Sequence, residues 1–253
     1  MISERDKKIL EALIQFTDWL EKFGEISQDH QDFYASWIGR YSKKLYYKSA
    51  LLGKVVVAPA VFCEAFLPFT RKLFHPPMRL PISDAHFAMG FAMMYKLLKK
   101  EAFLKKCKHF LDVLEKTRCV KFKNYCWGYP FDWQTKGGTI PQGTPLITTT
   151  PYGYEAFELA YDICPDEKWL KVMRSVADHA LYDIDDKEIA TDTNSCAYYP
   201  NAGYLVINAS SYRAGLLCKA FKRFNSDEYL VAARKNVNFV IQSQNKDGSW
   251  PYA

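Results

Sequence analysis

A block of 60 to 66 residues recurs along the chain, and this recurrence narrows the possible folds more than any other feature. Its clearest copy runs from Asn208 to Tyr252. Asn208-Ala209-Ser210-Ser211-Tyr212 opens an apolar helix, and Asn225-Ser226-Asp227 turns the chain. A second helix follows and stops at Gln244-Asn245-Lys246-Asp247-Gly248-Ser249-Trp250. Ser226 or Asp227 is placed to cap that helix, because a short side-chain oxygen accepts from unpaired first-turn N–H groups. The second helix returns as Glu101-Ala102-Phe103-Leu104, Glu167-Lys168-Trp169-Leu170 and Asp227-Glu228-Tyr229-Leu230. Each copy continues in a stripe: Cys107-Leu111-Leu114, Met173-Ala177-Ala180 and Ala233-Val237-Val240. The turn after it returns as Cys126-Trp127-Gly128-Tyr129-Pro130, Cys196-Ala197-Tyr198-Tyr199-Pro200 and Ser249-Trp250-Pro251-Tyr252. A helix pair that cannot bury its stripe alone stacks on copies of itself. The expected fold is therefore all-α, an array or closed ring of helical hairpins.

Composition sets further limits. With 253 residues and 49% apolar side chains, the chain can bury a large core, and one domain over 1–253 is expected. The charge of +6 comes from 34 basic and 28 acidic residues spread along the sequence, without a basic run of the kind that neutralises several phosphates. A nucleic-acid partner is not expected, whereas an anionic small ligand is compatible. No apolar stretch has the length of a membrane span. Met1-Ile2-Ser3-Glu4-Arg5-Asp6 lacks the apolar centre of a signal peptide. Seven cysteines, an odd number without a C-x-x-C pair, point to reduced thiols and a cytoplasmic protein. Cys63, Cys107, Cys164 and Cys218 fall on apolar helix faces as small core residues. No His/Cys/Asp cluster has metal spacing and no glycine loop has phosphate-binding spacing, so neither metal nor cofactor is expected.

Read in order, the chain predicts about nine helices. They cover 4–23, 29–48, 55–74 with a kink or break at Pro59 and Pro68, 85–98 capped by Ser83 or Asp84, and a partner ending near Thr117. Helices over 152–163, 166–183, 208–224 and 226–243 follow. Between them, 120–150 and 185–207 are long connections dense in aromatics, and connections of that length in a compact domain are usually functional.

Val237 to Trp250 carries Phe239-Val240, Gln244 and Gly248-Ser249-Trp250. This resembles the Q-x-x-x-G-x-W repeat of the α/α-toroid superfamily that includes squalene–hopene cyclases and protein prenyltransferases. Gln244 is placed to cap its helix end while Trp250 covers the turn. From Cys126 onward, Trp127-Gly128-Tyr129-Pro130-Phe131-Asp132-Trp133-Gln134, Gly143-Thr144-Pro145, Asn208-Ala209-Ser210 and the turn from Gln244 to Tyr252 are similar to bacterial capsule and exopolysaccharide-biosynthesis proteins. The relatives of that family include glucuronyl C5-epimerases and polysaccharide lyases. The resemblance implies a six-hairpin toroid of which this chain covers an incomplete part, about three helices short. In that family a further helix follows the Gly-Ser-Trp-Pro-Tyr turn, so an open edge through which copies could self-associate is expected.

In such a ring the connections from outer to inner helices emerge at one end and converge on one cavity. The expected lining is His86, Trp127, Tyr129, Trp133, Gln134, Tyr152, Tyr154, Tyr198, Asn208 and Trp250. Asp132, Glu155, Tyr212 and Arg213 are the candidates for chemistry. Aromatic planes stack on flat sugar faces while amides and carboxylates take hydroxyls, which suits a glycan or activated sugar, uronic acids included. Asp132 with Glu155 would make a general acid/base pair, and Tyr212, His86 and Arg213 a set for proton abstraction beside a uronate. Each has a plainer alternative: Trp127, Trp133 and Trp250 as plugs, Asp132 as a loop-fixing acceptor, His86 as a structural histidine and Asn208 as an N-cap. The function expected is acid/base chemistry at a sugar in polysaccharide biosynthesis. The alternatives are a non-catalytic glycan-binding scaffold or a terpenoid-type cyclase. The last would use Asp183-Ile184-Asp185-Asp186, which more simply forms a solvated loop at the far end of a helix.

Overall fold

The computed structural model describes residues 4–26, 32–74, 77–202 and 206–251. It comprises two compact units, 1–80 and 81–253. Among the described residues no helix is long and apolar enough to cross a membrane.

The first unit contains α1 (Glu4–Phe23), α2 (Asp32–Ala35), α3 (Trp37–Lys48), α4 (Ala50–Phe66) and α5 (Arg71–Phe74). The helix expected over 29–48 is split at Ser36, which adopts an extended backbone and caps α3 by accepting from Gly39 N at 3.0 Å. Gly53 lets α4 lie against α3, because a Cβ there would sit 2.2 Å from the Tyr46 backbone. Pro59 stays inside α4, and the break comes at Leu67 and Pro68, where a 3-10 turn over Pro68–Thr70 takes over.

The second unit is three helical hairpins: α6 (Pro81–Leu98) with α7 (Glu101–Thr117), α8 (Thr150–Ile163) with α9 (Glu167–Asp178), and α10 (Ile207–Phe224) with α11 (Asp227–Gln242). Turns of two or three residues make each pair antiparallel, with Lys99 and Asn225 in the left-handed region at two of them. The first helices form one layer, α8 packing on both α6 and α10, and the second helices form another. Capping differs from expectation. Helix α6 starts earlier, at Pro81, whose fixed φ suits a first turn, so Asp84 lies inside it and is buried. Ser226 holds the cap position of α11 without a side-chain bond, whereas Asp166 does cap α9, accepting from Lys168 N at 2.8 Å.

The stripes are buried as expected on α7 and α9, where Cys107, Leu111, Leu114, Met173, Ala177 and Ala180 are fully enclosed. On α11 the stripe turns: Ala233 and Asn236 are enclosed while Val237 is 39% exposed. Of the cysteines expected in the core, only Cys107 is fully buried; Cys63, Cys164 and Cys218 are half-buried. The two long connections each carry a small antiparallel hairpin, β1 (Trp133–Thr135) with β2 (Gly138–Ile140) and β3 (Asp186–Ala190) with β4 (Thr193–Cys196).

Candidate functional site

Because every hairpin is antiparallel, the connections 118–149 and 184–202 and the final turn 243–251 all lie at the end where α6, α8 and α10 begin. Hydrogen bonds tie them together. Ile147 N donates to Tyr198 O at 3.1 Å and the Thr148 hydroxyl to the Tyr198 hydroxyl at 2.8 Å. At the next junction Asn238 donates to Asp192 O at 2.8 Å and Gln242 to the Thr193 hydroxyl at 3.1 Å. Gly128 fixes the start of the first connection: it pairs with Pro145, and a Cβ there would lie 1.8 Å from Thr144 O.

Three groups of predicted residues line this rim. In the first, the Tyr129 ring stacks on Phe131 at 5.1 Å, and Trp133 meets Tyr129 edge-on at 5.5 Å and Tyr198 at 6.0 Å. In the second, His86, in the second turn of α6, lies 5.0 Å from the Tyr152 ring. The Tyr152 and Tyr212 hydroxyls are 2.9 Å apart, which joins α8 to α10. His86 Nδ1 is 2.8 Å from Ile82 O. A carbonyl oxygen only accepts, so Nδ1 is the donor in this contact. The Tyr212 hydroxyl, then burial, pushes the Tyr152 phenol up to about 12.

The third group surrounds a hollow of about 310 Å³ lined by Val206, Ile207, Asn208, Ser211, Val240, Trp250 and Pro251. Of the predicted residues it holds Asn208 and Trp250. Trp250 is half exposed and donates Nε1 to Val240 O at 2.8 Å, ending α11. Gln244 clamps the turn by donating to Gly248 O at 2.8 Å and does not cap the helix. Asn208 is also not a cap. Val206 holds that position, and the Asn208 amide oxygen is buried with no hydrogen-bond partner among the described residues.

Other predicted residues lie elsewhere. Trp127 is 1% exposed and sits inside the core, donating Nε1 to Leu114 O at 2.8 Å and packing on Phe157. Gly153 makes room for it, since a Cβ there would meet its ring at 2.3 Å. Tyr154 is fully buried, on the face of α8 opposite the rim. Gln134 is buried within its hairpin, accepting from the Thr139 hydroxyl at 2.6 Å. Asp132 accepts from Gln142 N at 2.9 Å, the loop-fixing role, and Glu155 pairs with Lys219 at 2.8 Å.

Arg213 is enclosed in the scaffold. It is 1% exposed and donates to Ala180 O, Leu181 O (3.1 Å), Asp186 (2.6 Å) and Asn236 (2.9 Å). Its carbonyl partners lie in a π-helical turn, His179–Asp183, that ends the second hairpin. Such a turn leaves carbonyls unpaired, and the guanidinium supplies the missing donors. The acids at 183–186 face solvent, as expected of such a loop, and also hold neighbours in place. Asp183 accepts from Asn124 and pairs with His179 at 2.9 Å, which holds its carboxyl below the usual range, and Asp185 accepts from Asn201 N at 2.6 Å. One rim residue escaped the sequence reading, Thr148, because it falls in no repeated turn. Among the described residues no group of three metal-ligating side chains occurs.

No family model matches the sequence, and no curated protein matches it. Solved structures do. The chain is similar to cellobiose 2-epimerase from Bacillus thermoamylovorans B4167 at 15% identity and a TM-score of 0.57, covering 69% of this chain and 48% of that one. It is similar to a D-mannose isomerase at 15% identity and a TM-score of 0.51, covering 69% and 46%. The chain thus spans about half the length of each. At this identity the likeness concerns the fold alone, and that fold is the α/α toroid.

Proposed function

We propose that residues 81–253 present a carbohydrate-binding rim that carries out acid/base proton transfer at a sugar. One observation carries the reading: the His86 ring lies 5.0 Å from the Tyr152 ring, whose hydroxyl is hydrogen-bonded to that of Tyr212 at 2.9 Å. A base next to a fixed hydroxyl donor suits removal of a proton from the carbon beside a sugar carbonyl, with the hydroxyl pair stabilising the oxygen on which charge develops. Trp133, Tyr129, Tyr198 and Trp250 supply stacking planes, and Thr148 and Asn208 supply hydroxyl partners. Two structures of the same fold are named an epimerase and an isomerase, and both names denote rearrangement of a sugar without loss of atoms.

The proposal extends to a glycan or activated sugar of bacterial polysaccharide assembly, uronic acids included, on the strength of the sequence turns alone. Hydrolysis by Asp132 and Glu155 receives less support, since each carboxylate already holds a neighbour in place. That same observation favours one rival, a rim that binds glycans without reacting.

Incubating the chain in D₂O with aldoses, disaccharides and uronate-containing oligosaccharides, read by proton NMR, tests the proposal. One sugar class should take up deuterium beside its carbonyl. His86→Gln should slow uptake by roughly 10²-fold or more with binding retained. Binding without exchange by any sugar would leave the rival, and absence of binding would remove both.

A further inference from the structure

Two thiols beneath the first connection take no part in that chemistry. Cys119 N donates to Cys126 O at 2.9 Å. That bond sets the two residues side by side on neighbouring stretches of main chain, the arrangement a disulfide requires. The side chains meet as well, since the two thiols hydrogen-bond to each other. Both residues are buried, at 6% and 0% exposure. Cys126 also lies 3.5 Å from Asn124 O.

The pair is asymmetric. The bond from Cys126, with the Gly128 backbone and the Arg118 charge, draws the Cys119 thiol below its ordinary value, while the same bond and burial push Cys126 up. Burial is the largest influence pushing Cys107 up to about 12 and Cys196 up to about 11, so those thiols stay protonated.

We propose that Cys119 and Cys126 are a peroxide-sensitive dithiol that closes residues 119–126 into a disulfide ring. The Cys119 thiolate attacks a hydroperoxide: an S–O bond forms, the O–O bond breaks and the departing oxygen leaves as water or alcohol. The Cys126 sulfur then displaces the sulfenic oxygen: the S–S bond forms, the S–O bond breaks and water departs with the Cys126 proton. The two thiols lose two electrons and the hydroperoxide gains them. The bond would staple the end of α7 to the turn that leads into the Trp127–Trp133 segment.

Treating the full chain with hydrogen peroxide, followed by intact mass and peptide mapping, tests this. The expected result is loss of two hydrogens per chain, reversed by dithiothreitol, with one cross-linked peptide joining Cys119 to Cys126. Cys119→Ser and Cys126→Ser should each abolish the link while Cys107→Ser keeps it. The wild-type map decides the matter even if a serine variant folds poorly. A link between any other pair, oxygen added to Cys119 without a bond, or no reaction at either thiol would overturn the proposal.

Discussion

Arg213→Met lowers stability by about 3–5 kcal/mol, the cost of removing one partner from a buried ionic network. The substitution strands the Asp186 carboxylate, half of the Asn236 amide and two carbonyls of the π-helical turn. Those groups belong to the π-helical turn, β3 and α11, so three elements lose their common anchor. Urea unfolding checks this as a fall in midpoint with an unchanged slope. Arg213→Lys should recover only part of the loss, because one ammonium cannot serve four acceptors in that planar spread. A catalytic arginine would behave otherwise, and a loss under about 1 kcal/mol would place Arg213 outside the scaffold.

The second large effect separates two tryptophans of one short motif. Trp127→Ala should cost about 3–5 kcal/mol, through the cavity it leaves against Phe157 and Gly153 and the orphaned Leu114 carbonyl. Trp133→Ala should cost less than about 1 kcal/mol, since that ring is half exposed on its hairpin. Sugar binding should reverse the order. Trp133→Ala should weaken it about tenfold, roughly 1.4 kcal/mol, measured by isothermal titration on the folded variants. Equal unfolding costs for the two would contradict the division into plug and platform.

The scaffold was largely legible because burial imposes a period. The stripe through Cys107, Leu111 and Leu114 and its copy through Met173, Ala177 and Ala180 have no other use than packing, and both are enclosed. The pairing of Trp133 with Tyr198 and of Tyr152 with Tyr212 joins segments that the repeat places at one end of antiparallel hairpins. The roles of polar residues were harder to see. Arg213 lies one residue from Tyr212, and nothing local tells that one faces the rim and the other a π-helical turn whose existence depends on how α9 ends. Tyr154 and Tyr152 are separated in the same way by 100° of helix rotation per residue. Trp127 went the same way: its partner carbonyl at Leu114 and the gap at Gly153 are both distant in sequence.

Radical footprinting of aromatic side chains, with and without the oligosaccharide that binds best, tests the central claim most directly. The account predicts that Trp133, Tyr198, Tyr152 and Tyr212 lose reactivity together. Tyr182, 65% exposed with its hydroxyl donating to Glu228, should keep its own. Protection scattered over Tyr182 and other outlying rings, with the four rim residues unchanged, would contradict it.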